Sequence, residues 1–255
     1  MILFDIDGTL LDHEKKLPLS AKKAVRSLQE AGHEVGIATG RPPYFFKELR
    51  EELEIDTFVC FNGQYVEVEN EVIYKNSIDQ DKLARLLSFS SSHDHPLVFM
   101  GAESMKASID YHEVIADTFA TLDVGVTHPK YNANYFNETE IYQVLLYCEE
   151  HEEALYRNSM QDLNFVRWHK NAMDVLPLGG SKALGIEKLI EKKGYSKDQV
   201  YAFGDYYNDL EMLQYVGHGI AMGNAPEDVK KVARYVTKDV DDNGIAYGLK
   251  MVGLL

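Results

Sequence analysis

Short apolar runs without polar alternation mark the beginning and the end of the chain. Met1-Ile2-Leu3-Phe4, Val35-Gly36-Ile37-Ala38, Thr57-Phe58-Val59-Cys60-Phe61 and Val200-Tyr201-Ala202-Phe203 each read as a strand buried on both faces, as in a parallel sheet. Gly217–Met222 and Tyr235-Val236-Thr237 add two more. Helical periods lie between them. Ala21, Ala24, Val25, Leu28 and Ala31 mark one apolar face, entered at Ser20 as N-cap and stopped at Gly32. Pro42-Pro43 opens a second helix, with Phe46, Leu49 and Leu53 at core spacing, and Pro226–Ala233 forms another. Gly179-Gly180-Ser181-Lys182 leads into a strong helix carrying Leu184, Ile186, Leu189 and Ile190. Residues 64–75 alternate around Glu69-Asn70-Glu71, which predicts a β-hairpin.

From about residue 80 the pattern changes. Asp79 caps a helix near 80–88, and further helices are expected near 112–122 and 150–160. Strands are expected at 97–100, 105–109, 141–148 and 163–168, with a loop rich in Asn, Tyr and Pro over 123–140. The first pattern resumes at Met173-Asp174-Val175-Leu176-Pro177. The alternation predicts an α/β fold: a Rossmann-like parallel-sheet core formed by 1–79 and 176–255, with an inserted α+β domain over 80–175.

The polar residues that carry chemistry fall at the carboxyl ends of the predicted strands, where open α/β sheets bind ligands. Asp5 and Asp7 close the first strand, Thr39-Gly40-Arg41 the second, and Asp205, Asn208 and Asp209 follow Val200–Phe203. Two carboxylates as close as Asp5 and Asp7 repel, and burial raises that cost, so a cation is expected between them. A hard divalent ion such as Mg²⁺ suits oxygen ligands. Lys182 sits in the first turn of a helix, where the macrodipole disfavours it unless an anion is present. Asp5, Asp7, Thr39, Lys182, Asp205, Asn208 and Asp209 thus combine an acidic cation site with an anion site, the inventory for phosphoryl transfer to a carboxylate.

Composition narrows the partners. A net charge of −15 opposes binding to nucleic acid and to anionic membranes. No run of eighteen apolar residues appears, and the acidic Asp5-Ile6-Asp7 stands where a signal peptide would need its apolar stretch. The two cysteines, Cys60 and Cys148, lie in apolar runs and read as reduced core residues, so a cytoplasmic setting is expected. The histidines show no metal-ligand spacing, His93-Asp94-His95 included.

Asp5-x-Asp7-x-Thr9, Ala38-Thr39-Gly40-Arg41, Lys182 and Gly204-Asp205-x-x-Asn208-Asp209 occur in the order that marks the haloacid dehalogenase superfamily. The chain resembles its Cof-type phosphatases with a subclass IIB cap, and Asn62-Gly63 and Met222-Gly223-Asn224-Ala225 match runs usual in that group. The resemblance covers roughly 1–78 and 176–255. It implies Asp5 as nucleophile and Asp7 as acid/base, and Mg²⁺ held by Asp5, the main-chain carbonyl of Asp7 and Asp205. It also implies phosphate held by Thr39, Gly40, Lys182 and Asn208, with Asp209 orienting from behind. The substrate expected is a small phosphorylated metabolite, a sugar phosphate first and a flavin or pyridoxal cofactor phosphate next, selected by the insertion. A sugar phosphotransferase or phosphomutase and a receiver-type phospho-aspartate domain are the competing readings. Arg41 and Asn62 carry no assigned role, and no motif speaks to the oligomeric state.

Overall fold

The computed structural model describes residues 1–122 and 124–255, so residue 123, the first of the expected loop 123–140, lies outside the described residues. Contacts divide the chain into two units, Met1–Arg41, Phe46–Tyr74 and Ser181–Leu255 in one, Pro42–Phe45 and Lys75–Gly180 in the other.

In the first unit the chain runs β1 (Ile2–Phe4), α1 (Leu19–Glu30), β2 (Val35–Ala38), α2 (Lys47–Leu53), β3 (Phe58–Cys60), β4 (Tyr65–Val68) and β5 (Glu71–Lys75). Ser20 lies inside the first turn of α1 rather than capping it, because Pro18 occupies the N-cap position and needs no amide donor. Pro42-Pro43 opens no continuous helix: Pro43–Phe45 is a 3₁₀ turn, and α2 starts after the buried Phe46.

The second unit holds α3 (Gln80–Ser91), β6 (Leu97–Met100), β7 (Met105–Ala107), α4 (Glu113–Leu122), β8 (Gln143–Tyr147), α5 (Glu153–Ser159), β9 (Leu163–His169) and β10 (Ala172–Pro177). Asp79 caps α3, accepting from the Asp81 amide. The sheet, ordered β7-β6-β8-β10-β9, is antiparallel throughout. Met173–Pro177, which the apolar pattern assigns to the return of the first sheet, instead pairs between β8 and β9. A fully buried run looks the same in either sheet, and only its partners distinguish them. Leu97, Phe99, Val144, Leu146, Met173 and Val175 on one face pack with Leu83 and Leu86 of α3 and Tyr156 of α5.

The chain re-enters the first unit through α6 (Lys182–Lys193), β11 (Tyr201–Gly204), α7 (Leu210–Tyr215), β12 (His218–Ala221), α8 (Glu227–Val232), β13 (Tyr235–Val236) and α9 (Gly244–Met251). Its sheet is ordered β13-β12-β11-β1-β2-β3-β4-β5, and the six strands from β13 to β3 are parallel. The connection direction reverses at β1, which pairs with β2 on one edge and β11 on the other. Such a switch point leaves a crevice beyond the strand ends. Ile186 and Leu189 of α6 and Met212 and Leu213 of α7 cover the sheet together with Leu3, Val59 and Ala202. Phe4 stacks on Phe203, ring centroids 5.1 Å apart. Among the described residues no helix is long and apolar enough to cross a membrane.

Because Leu3 is fully buried in the central strand, Leu3→Ala is expected to cost about 2–5 kcal/mol, from lost transfer energy and the cavity left behind. Urea unfolding should show a lower midpoint at unchanged slope; a midpoint equal to that of the parent would contradict this packing.

Candidate active site

Parallel register brings the two key carboxylates together. Phe4 of β1 stands opposite Phe203 of β11, and the Asp5 amide donates to the Phe203 carbonyl at 3.0 Å. Asp5 and Asp205 therefore leave neighbouring strands side by side. After Asp5 the chain coils tightly, with the Leu10 amide donating to the Asp5 carbonyl and the Leu11 amide to that of Ile6. Gly8 completes the coil at φ +74°, and a Cβ there would come within 2.3 Å of Asp205 Oδ2. Both the conformation and the space exclude a side chain at that position.

Lys182 lies under the crevice, its residue 1% exposed. Ser181 caps α6 through its hydroxyl, which accepts from the Leu184 amide, and so aims the Lys182 stem inward. The ammonium donates to Asp5 Oδ1 and to Asp209 Oδ1, both at 2.6 Å. Burial alone would lower its pKa, but the two carboxylates outweigh burial and raise it. Asp209, fully buried, uses its other oxygen to accept from the amides of Asp205 and Tyr206, at 2.9 and 3.1 Å. Asp209 thus ties the lysine to the loop carrying Asp205.

Asp5, Asp205 and Asp209 present carboxylate oxygens within 4.8 Å of one another. Three carboxylates share one ammonium, so the fully ionised cluster lacks two positive charges. Burial, partly opposed by Lys182, pushes Asp5 up to about 7. Burial and then the neighbouring charges of Asp5 and Asp209 push Asp205 up to about 8. The donors are all oxygen and the deficit is two charges, which fits a hard divalent cation. Asp209 meets Lys182 with Oδ1 and two main-chain amides with Oδ2.

Asp7 faces a different environment. Arg41 grips its carboxylate through two bonds of 2.7 Å, Nε to Oδ2 and Nη2 to Oδ1, and Lys15 Nζ adds a third at 2.7 Å. Burial would raise its pKa, but the guanidinium and then the ammonium prevail and hold it at about 2. Lys15 reaches it from a turn in which Asp12 accepts from the amides of Glu14 and Lys16, with Lys15 itself at φ +60°. That left-handed conformation is costly for a side chain of this size and aims the lysine at Asp7.

Thr39 is buried after β2, its hydroxyl accepting from the Arg41 amide at 3.1 Å. Gly40 follows it in the same loop, and Asn208 lies on the loop after β11, where its amide donates to Asn62 Oδ1 at 3.0 Å. The structure thus brings Asp5, Lys182, Asp205 and Asp209 into direct association, and Asp7 stands apart with Arg41 and Lys15. The Thr9 hydroxyl donates to Asp205 at 3.3 Å. Lys15 and Asn224 are missed by sequence reasoning. Asn224 donates to Gly8 O and Asp205 Oδ2, at 2.9 and 3.2 Å, and accepts from the Val240 amide. It locks the acidic loop to the coil after β1. The Met222–Ala225 run signals its importance without its contacts, and nothing in the spacing of Lys15 points to Asp7.

A family model for haloacid dehalogenase-like hydrolases matches residues 2–249. YkrA of Bacillus subtilis strain 168, provisionally named a phosphatase, is 45% identical over 255 residues, covering 100% of this chain and 98% of its own. The 5-amino-6-(5-phospho-D-ribitylamino)uracil phosphatase YitU of the same strain is 29% identical, covering 98% of this chain and 96% of its own. Among solved structures, that of the subclass IIB sugar phosphatase BT4131 has a TM-score of 0.90 at 32% identity, covering 100% of this chain and 99% of that one.

The raised pKa values set a pH dependence of stability. With Asp5 near 7 and Asp205 near 8, against an ordinary value of 3.8 for both, these two groups hold more protons in the metal-free folded protein than in the unfolded chain between about pH 4 and 8. Stability therefore falls as pH rises through that window. A divalent cation binds the ionised form and should flatten the slope. Urea unfolding at pH 5 and pH 8, with chelator and with excess Mg²⁺, checks this; a metal-free stability that rises toward pH 8 would refute the charge deficit.

Proposed function

The chain belongs to the haloacid dehalogenase-like hydrolases and is a phosphatase of small phosphorylated substrates, and from that premise we propose a Mg²⁺-dependent phosphomonoesterase working through an aspartyl-phosphate on Asp5. The observation that carries this reading is the cluster of Asp5, Asp205 and Asp209 at the switch point, short of two positive charges even with the buried Lys182. Asp5 and Asp205 would hold the ion through their carboxylates and Asp7 through its main-chain carbonyl. When bound, Mg²⁺ supplies positive charge that draws phosphate oxygens toward an anionic nucleophile.

The remaining steps use the chain's own groups. Asp5 in its carboxylate form, its charge partly met by Lys182, attacks phosphorus in line, and the leaving oxygen departs with the electron pair of the broken P–O bond. Thr39, Gly40, Lys182 and Asn208 hold the phosphate oxygens. Asp7 gives a proton to the leaving oxygen and later takes one from the water that cleaves the acyl phosphate. In its pairing with Arg41 and Lys15 it is a carboxylate, ready for the second role. The first role requires it to leave those two cations and gain a proton. Asp209 touches no substrate and acts by orienting Lys182 and the Asp205 loop.

The core site recognises groups common to all phosphomonoesters, so we assign leaving-group selection to the inserted domain, residues 80–175 in the sequence division. The phosphoribityl and sugar phosphates named for relatives share hydroxyl-bearing carbons beside the phosphate. That supports sugar or polyol phosphates as the first class to test, with cofactor phosphates next. The acidic chain supports neither nucleic acid nor anionic membrane as partner, and a cytoplasmic setting accords with reduced Cys60 and Cys148.

Asp5→Asn is expected to fold and to abolish phosphate release across a panel of phosphorylated metabolites, and chelator should do the same to the parent. Full turnover in either case excludes the scheme, and phosphate passed to an added sugar instead of to water would mark a phosphotransferase. Asp7→Ala should lose roughly 10²–10⁴ in turnover. With an aryl phosphate, whose leaving group needs little acid help, phosphorylation of Asp5 should suffer least and its hydrolysis most. Rapid quench should then trap aspartyl-phosphate; equal loss in both steps would remove the acid/base assignment.

A further inference from the structure

Three consecutive residues after β3 are left-handed: Phe61 at φ +51°, Asn62 at +52° and Gly63 at +95°. Two carry side chains, which makes this turn costly, and Phe61, Asn62 and Gly63 are all buried. The turn persists because three parts of the site hold it. The Phe61 amide donates to the Arg41 carbonyl at 3.2 Å and the Asn62 amide to the Thr39 carbonyl at 3.1 Å, which ties it to the loop after β2. A Cβ on Gly63 would come within 1.9 Å of the Ser181 carbonyl, so the turn lies directly against the N-cap of the helix bearing Lys182. Asn62 Oδ1 accepts from Asn208 Nδ2, which joins the turn to the loop after β11. Buried Gln64 closes it from the far side, donating to the Asn62 carbonyl at 3.0 Å.

We propose that Asn62 is a positioning residue for phosphate recognition, its side-chain oxygen fixing the amide of Asn208 while its backbone fixes Thr39. This rests on the reading of Asn208 and Thr39 as phosphate contacts. A plain turn after β3 needs no left-handed side-chain residues. Asn tolerates that conformation better than most residues and brings an acceptor in the same position, which meets both demands at once. Because Asn62 acts through groups that meet only phosphate, its influence is the same for every leaving group.

The test uses the full-length protein with inorganic phosphate as competitive probe. Asn62→Gly keeps the left-handed backbone and its amide bonds but deletes the acceptor; Asn62→Ala deletes the acceptor and adds backbone strain. Both should weaken phosphate inhibition, and raise KM for unrelated phosphomonoesters alike, by roughly 3- to 10-fold, the loss of one ordinary hydrogen bond. The two should weaken it equally although Asn62→Ala melts at the lower temperature. In an Asn208→Ala background the Asn62→Gly change should have little further effect. Affinity that follows melting temperature, or losses that multiply in the double variant, would overturn the positioning role. If Asn208→Ala weakens phosphate inhibition and Asn62→Gly does not, this inference alone fails. If Asn208→Ala leaves inhibition unchanged, the phosphate assignment of Asn208 fails with it.

Discussion

A buried lysine between two aspartates anchors the architecture of this site. Lys182 is inaccessible to solvent and is held by Asp5 from β1 and by Asp209 from the loop after β11. Removing Lys182 would leave Asp5 and Asp209 buried without the cation they share, a far larger penalty than loss of a surface ion pair. The triad therefore joins segments distant in sequence, Asp5 and Lys182 being 177 positions apart. It also sets the chemistry, because one ammonium cannot satisfy three carboxylates. Burial, and with it this shortfall, raises Asp5 and Asp205 together and suits the cluster to an external cation.

Two aspartates separated only by Ile6 consequently live in opposite electrostatic conditions. Asp5 is short of positive charge, and Asp7 is overprovided with it by Arg41 and Lys15. Under the proposed scheme, the nucleophile needs to be anionic when phosphate is near, whereas the acid/base must exchange a proton at a defined moment. Arg41 and Lys15 meet the charge of Asp7, which still repels that of Asp5. Ile6, which separates them in sequence, is fully buried.

Around these charges stands a set of neutral polar residues whose work is geometric. Asn224 binds both Gly8 and Asp205, Asn62 binds Asn208 and the Thr39 backbone, and Ser181 caps the helix of Lys182. Amides suit this task because each offers donor and acceptor without adding charge to a site already out of balance. Backbone cost accumulates at the same places, in Lys15, Phe61 and Asn62, where several contacts together outweigh it.

Much of this was legible in the chain itself. Apolar runs without alternation disclosed the parallel strands, because burial on both faces leaves no room for polar positions. Asp5, Thr39 and Asp205 stood at strand ends, where a sheet of this type exposes its crevice, and a lysine in the first turn of a helix betrayed an anionic partner. Tertiary structure alone decided who that partner was: Lys182 meets Asp5 and Asp209 because β1 and β11 are neighbours, and strand order is not written in local periodicity. The same holds for Ala172–Pro177, whose composition suits either sheet and whose antiparallel partners fix it in the second. The engagement of Asp7 by Arg41 and Lys15 depended on side chains 34 and 8 positions away turning to one carboxylate. Local sequence encodes propensity and burial, but the sharing of charge is settled only when distant segments compete for the same buried space.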